Sequence, residues 1–201
     1  KQYTRMEEDN YYVVAYTKIH INNDEFYHYM GKYEIYGGRK NVEDFKQIII
    51  RRLKNYKKSG CVFECSIFQN IIDELMLFAL YNEQQIIDMY KEFIQYVDMD
   101  SFIMLRLVNV KNHLVDNMHK VIEERVNDQE EQVWHHMVTD YLNQSPYGKL
   151  HPFNTFHDLL EHFKRRITIE NKIIDELFSE HCINLESRKY DLDEVLRQIQ
   201  E

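Results

Sequence analysis

A chain of 201 residues, 44% hydrophobic and 13% aromatic, can bury one sizeable core, and five glycines with two prolines are too few for a loop-rich all-β protein. Its 25 basic against 34 acidic residues leave a net charge of −9, which argues against sequence-independent nucleic-acid binding, an affinity that comes mostly from neutralising phosphates. No apolar run approaches the roughly 18 residues that span a bilayer, no basic-then-apolar leader precedes the core, and three cysteines (Cys61, Cys65, Cys182) fit a reducing compartment, so a cytoplasmic protein with no membrane partner is expected.

Residues 1–36 hold eight of the fifteen tyrosines. Tyr11 to Tyr16, with Val13 and Val14, has strand propensity without clean alternation, and Asn22-Asn23-Asp24 reads as a turn or helix start. The tyrosines are read as aromatic packing, with a wall over a substrate as the alternative. Gly37-Gly38 punctuates the chain. Asn41 then caps a helix with Val42, Phe45, Ile48, Ile49, Leu53 and Tyr56 at helical spacing, and Gly60 lies past its end.

The run Cys61-Val62-Phe63 predicts a short buried strand that ends in Glu64 and Ser66. Unbroken apolarity is the mark of a strand covered on both faces, and ligands of such sheets sit beyond the carboxyl ends of their strands. Helices are predicted from Asn70 to about Leu80 and from about Glu83 through Ile94, followed by a second apolar strand over Ser101–Val108. A helix from about Lys111 ends at Glu123-Glu124-Arg125; Trp134, Val138 and Tyr141 share a further helix face. Ser145-Pro146-Tyr147-Gly148-Lys149 reads as a turn. A long helix starts at Asn154 or Thr155 and runs through Phe178, with Phe156, Leu159, Leu160, Phe163, Ile167, Ile174 and Leu177 inward and Lys164-Arg165-Arg166 as its solvated face. A last strand over His181–Leu185 precedes a helix capped by Asp191, with Glu194 at capping-box spacing.

Strands alternating with helices predict a three-layer α/β fold, a parallel sheet flanked by helices. One domain is expected over residues 1–201, with 110–180 as a helical lid or lobe.

Val62-Phe63-Glu64-Cys65-Ser66-Ile67-Phe68 resembles the third-strand motif of deoxynucleoside and nucleoside-monophosphate kinases, with Cys65 where those kinases carry Arg. Together with Phe68-Gln69-Asn70 and Glu74-Leu75-Met76-Leu77 it is similar to an uncharacterised bacterial family of P-loop, thymidylate-kinase-like proteins. The resemblance implies an ATP-dependent phosphotransferase with Mg²⁺, a small-molecule phosphate acceptor and a fold incomplete at its N-terminal edge. A homodimer is left open. No GxxxxGK[ST] phosphate loop occurs, so the loop would have to lie before Lys1.

On that reading Glu64 serves as general base or orients Mg²⁺, with helix capping as the alternative, and Arg125 stabilises the transferring phosphoryl group. Gln69, Asn70 and Ser66 contact the acceptor or cap the helix, and Tyr147 and Lys149 line the substrate side, Lys149 alternatively being a solvated turn lysine. The rival class is a non-catalytic interaction module on the same scaffold, suggested by the missing phosphate loop and by Cys65. The ten histidines do not suggest a metal, since His157 and His162 are five apart and diverge on a helix.

Overall fold

The computed structural model describes residues 4–6, 12–56, 60, 62–63, 67–108, 114–125, 133–186 and 190–200. The chain divides into two compact units, Lys1–Val62 and Phe63–Glu201.

In the first unit, β1 (Thr4–Met6) and β2 (Tyr12–Val14) pair antiparallel, with Arg5 opposite Val13. Helix α1 (Asp24–Gly31) starts where Asn23 accepts from the Phe26 amide, and α2 (Val42–Asn55) starts where Asn41 accepts from the Asp44 amide at 2.9 Å. Both caps satisfy an amide that the helix itself leaves unpaired. Phe45, Ile49 and Ile50 form the buried face of α2, with the Tyr36 ring edge-on to Phe45 at 5.6 Å. Tyr16 donates to Glu34, and Tyr27 donates to the Ile19 carbonyl while accepting from the Ile21 amide. These hydroxyls therefore serve packing within the unit.

The second unit is built mainly of helices. Helix α3 (Gln69–Asp73) runs without a break into a π-helical turn, Glu74–Phe78, and α4 (Glu83–Phe93) follows behind an Asn82/Gln85 capping box. Between them Leu80 has φ 56, a left-handed conformation costly for a residue with a branched side chain. Next come β3 (Met104–Val108), α5 (Leu114–Glu124), α6 (Val133–Gln144), α7 (Pro146–Leu150), α8 (Phe156–Leu177), β4 (Cys182–Glu186) and α9 (Leu192–Gln200). The long α8, opened by a Thr155/Asp158 capping box, packs against both α3 and α4. Ile72, Leu75, Ile86, Leu159 and Ile173 are sealed from solvent in this core, each worth about 1.5–3 kcal/mol of burial. Phe68 stacks on Tyr90 and meets Phe178 edge-on, and the Tyr90 hydroxyl donates to the Ile67 carbonyl, which fixes the entrance to α3.

This architecture corrects the expected three-layer parallel sheet: the structure is mostly helical, and among the described residues parallel pairing is confined to the two-stranded ladder β3–β4, with Met104 opposite Cys182 and Val108 opposite Glu186. The strands read at Ser101–Val108 and His181–Leu185 exist and run parallel. The third does not form as read. Val62 and Phe63 lie in neither sheet and are 96% and 54% exposed. Val62 and Phe63 follow a left-handed Gly60 (φ 67), and the described parallel strands, β3 and β4, pair with each other. The chain therefore buries its apolar residues along helix stripes.

The α6–α7 corner is tightly built. Ser145 is fully buried, accepting from the Gly148 amide and donating to the Leu142 carbonyl at 2.6 Å. Asn143 exchanges two hydrogen bonds with the Phe153 backbone, closing the corner like a strand pair. Gly148 has no room for a side chain: a Cβ there would stand 2.0 Å from the Leu142 oxygen.

Candidate functional site

Glu64 and Ser66, together with Cys65, fall outside the described residues. Gln69 is half-buried at the first position of α3, and Asn70 beside it is exposed, while Phe68 holds the N-cap without a side-chain cap. Arg125 follows the end of α5 and lies with its guanidinium 5.2 Å from the centre of the Trp134 ring, a cation–π contact. Tyr147 and Lys149 sit on α7, a short helix where a turn was expected. Tyr147 packs against His151 and Phe153 under the Arg165 guanidinium at 5.1 Å, and Lys149 is exposed in the last turn. Arg125, Gln69 and Tyr147 thus belong to three separate helix ends.

The structure instead gathers a polar cluster inside the α3–α8 joint. From α8, the residues His162, Arg166 and Glu170 recur every four positions and so stack along one helical face. They meet Asp73, the last residue of α3, at the point where the backbone changes from α to π geometry. Arg166 donates from Nη1 to Asp73 Oδ2 at 3.0 Å, and its Nε stands 3.2 Å from Glu170 Oε1, an ion-pair contact short of hydrogen-bond alignment. His162 Nε2 stands 3.4 Å from Asp73 Oδ1. Its ring is wedged edge-on between Phe153 and Phe163, and the side chain is 2% exposed. Asp73 Oδ1 and His162 Nδ1 are buried with no hydrogen-bond partner among the described residues.

Desolvation pushes the Glu170 carboxyl above its usual range; the Arg166 charge opposes the shift and the Asp73 carboxylate adds to it. Glu74, first residue of the π turn, is buried too, at 4% exposure. Buried charges, a π turn and left-handed Leu80 within one segment are the kind of local cost that folds keep for a purpose.

A second feature lies on the parallel ladder. In-register residues of parallel strands point to the same side, so Met104, Arg106, Cys182 and Asn184 share one face and Leu105, Leu107, Ile183 and Leu185 the other. Helix α8 meets the first face at Arg106, which donates to Asn171 and pairs with Asp175 at 3.3 Å. Burial raises the Cys182 thiol on that face, with Arg106 opposing. On the other face Leu185 is buried, while Leu105 and Leu107 are 43% and 56% exposed and Ile103, which precedes the strand, is 46% exposed, although parallel strands are normally covered on both sides.

Among the described residues no three His, Cys, Asp or Glu side chains are grouped to hold a metal ion, and no helix is long and apolar enough to cross a membrane. No protein-family model, curated protein or solved structure matches the chain.

Of the cluster, none was singled out in the sequence as a functional group. Arg166 belongs to the supposed solvated run Lys164-Arg165-Arg166, of which only Lys164 is exposed. The usable signal was a four-residue polar period, His162, Arg166 and Glu170, inside an otherwise apolar stripe.

Proposed function

We propose that this chain is a protein-interaction module that presents the outer face of β3 to a partner. One observation carries the reading: Leu105 and Leu107 occupy successive outward positions of β3, Ile103 stands immediately before the strand, and all three are roughly half exposed. A lone exposed leucine is ordinary, but an aligned stripe on a parallel strand is surface that a partner would bury with gain. At about 25 cal/mol per Å², covering these side chains supplies association energy without remodelling the helical core behind them.

The phosphotransferase reading, with ATP and Mg²⁺, was motivated by a buried strand ending in Glu64 within a parallel sheet. Val62 and Phe63 are exposed and lie in neither sheet, and Arg125 is engaged by Trp134, so these observations favour the interaction module.

The test is a photo-cross-linking amino acid at Leu107, expressed in the natural host, with exposed Gln84 on α4 as the control position. The reading expects a discrete adduct from position 107 that is absent from position 84 and lost when Leu105 is changed to Ser. No adduct from position 107 in a folded protein would overturn it.

A further inference from the structure

We infer that the α3–α8 joint is a proton-operated latch, in which one proton taken up by the His162–Asp73–Arg166–Glu170 cluster sets how firmly α8 holds the π turn that follows Asp73. The inference rests first on charge counting in a nearly dry place. Side-chain exposures are 2% for His162, 16% for Asp73, 11% for Arg166 and 21% for Glu170. With both carboxylates ionised and the imidazole neutral, two negative charges face one guanidinium. An uncompensated buried charge is costly, and one proton removes it.

Geometry supplies a receiver for that proton in Glu170. The His162 ring sets Nε2 at 3.4 Å from Asp73 Oδ1, and Glu170 Oε1 stands 3.2 Å from Arg166, whose other end already holds Asp73. The four groups therefore form one connected chain, and a proton on Glu170 neutralises the whole. Burial favours the neutral form of Glu170, which acts in the same direction.

The surroundings do not cancel the imbalance. From α3 the facing charge is Asp73, and from the π turn it is buried Glu74. From β3 comes Arg106, which is committed to Asn171 and Asp175 one turn further along α8 yet still acts favourably on Glu170. From α4, Glu83 pairs with Lys172 and Lys91 with Glu176 at 2.6 Å, closed ion pairs beyond the cluster. The segment after α7 contributes the apolar Phe153.

The sign follows from linkage. A group whose value in the fold lies above its free one stabilises the fold below the ordinary carboxyl range, and that contribution drains away as pH rises through the raised value. The latch is consequently firm in the acid direction and looser in the alkaline one. Because α8 also grips β3 through Arg106, the same proton bears on the strand that carries Leu105 and Leu107.

The experiment is amide hydrogen exchange on the whole chain across about pH 5 to pH 8, corrected for intrinsic chemical rates, reading the opening constants of Ile72 to Phe78. Coupling to one proton makes the opening constant rise by up to tenfold per pH unit. Glu170→Gln and His162→Gln keep the shape of each side chain, and Glu176→Gln is the control on the same helix; protection at Ile86 and Ile87 reports that each variant is folded. The latch requires that the wild type and Glu176→Gln show the pH-dependent opening and that at least one of the other two variants flattens it. A flat wild-type profile, or a slope retained in both Glu170→Gln and His162→Gln, overturns the inference.

Discussion

Asp73 and Arg166, 93 positions apart in the chain, are joined by a 3.0 Å hydrogen bond between carboxylate and guanidinium that ties the end of α3 to the middle of α8. Both side chains are mostly buried, so the Asp73 carboxylate depends on a guanidinium that it shares with Glu170. The bond marks where the helical core is most demanding: the helix must change from α to π geometry, and a buried carboxylate must find a cation.

Removing one partner is therefore expected to be worse than removing both. Arg166→Met leaves the Asp73 and Glu170 carboxylates buried without their cation and is predicted to lower unfolding free energy by about 3–5 kcal/mol, whereas Arg166→Met combined with Asp73→Ala recovers part of that loss. Urea unfolding of the two single variants and the double variant measures the coupling. Simple additivity of the single effects would show that the bond contributes nothing beyond its parts.

Gly148 provides a sharper steric test. A methyl group would be driven against the Leu142 carbonyl, 2.0 Å from the Cβ position, with Asn143 Cα at 2.8 Å, and both obstacles are backbone. Gly148→Ala is expected to cost about 1–3 kcal/mol and lower the thermal midpoint. In Gly31→Ala the nearest atom is the Tyr16 hydroxyl at 4.0 Å, so this helical position should be neutral or slightly stabilised. Equal midpoints for the two variants would contradict the tight α6–α7 corner.

The start of α8 predicts a pH signature of opposite sign to that of Glu170. Hydrogen bonds from the Thr155 hydroxyl and from the Thr155 and Asn154 amides hold the Asp158 carboxyl below its usual value of 3.8. A lowered value contributes stability that is present above the ordinary carboxyl range and is lost as pH falls through the lowered one. Asp158→Asn should therefore separate from the wild type in urea midpoint near about pH 6 and converge with it near about pH 2. A gap that stays constant with pH would mean that the charge of Asp158 plays no part.

Much of the helical scaffold was legible because its signals are local. Asn41 caps α2 and Thr155 caps α8 as their types and positions demand, and Asp191 accepts from the Asp193 and Glu194 amides at the start of α9. The strands around Leu105 and Ile183 were readable as short apolar runs between polar bounds. The run at Val62-Phe63 has the same local look, and only pairing distinguishes it: β3 and β4 have each other.

The functional cluster was harder to read because nothing local announces it. His162, Arg166 and Glu170 are unremarkable helix residues until α3 brings up Asp73. The π turn at Glu74-Leu75-Met76-Leu77-Phe78 likewise has an ordinary helical stripe, and it packs against α7, which lies about 70 residues further along the chain. Tyr147-Gly148-Lys149, read through resemblance as substrate contacts, contains a glycine that the α6 backbone requires.

The interaction reading is tested most directly by footprinting Ile103, Leu105 and Leu107 with a diffusible carbene label, on the isolated protein and inside the natural host. The reading predicts strong labelling of all three in isolation and marked protection in the cell, while exposed Leu150 on α7 labels equally in both. Equal labelling of the β3 stripe in both settings would contradict it.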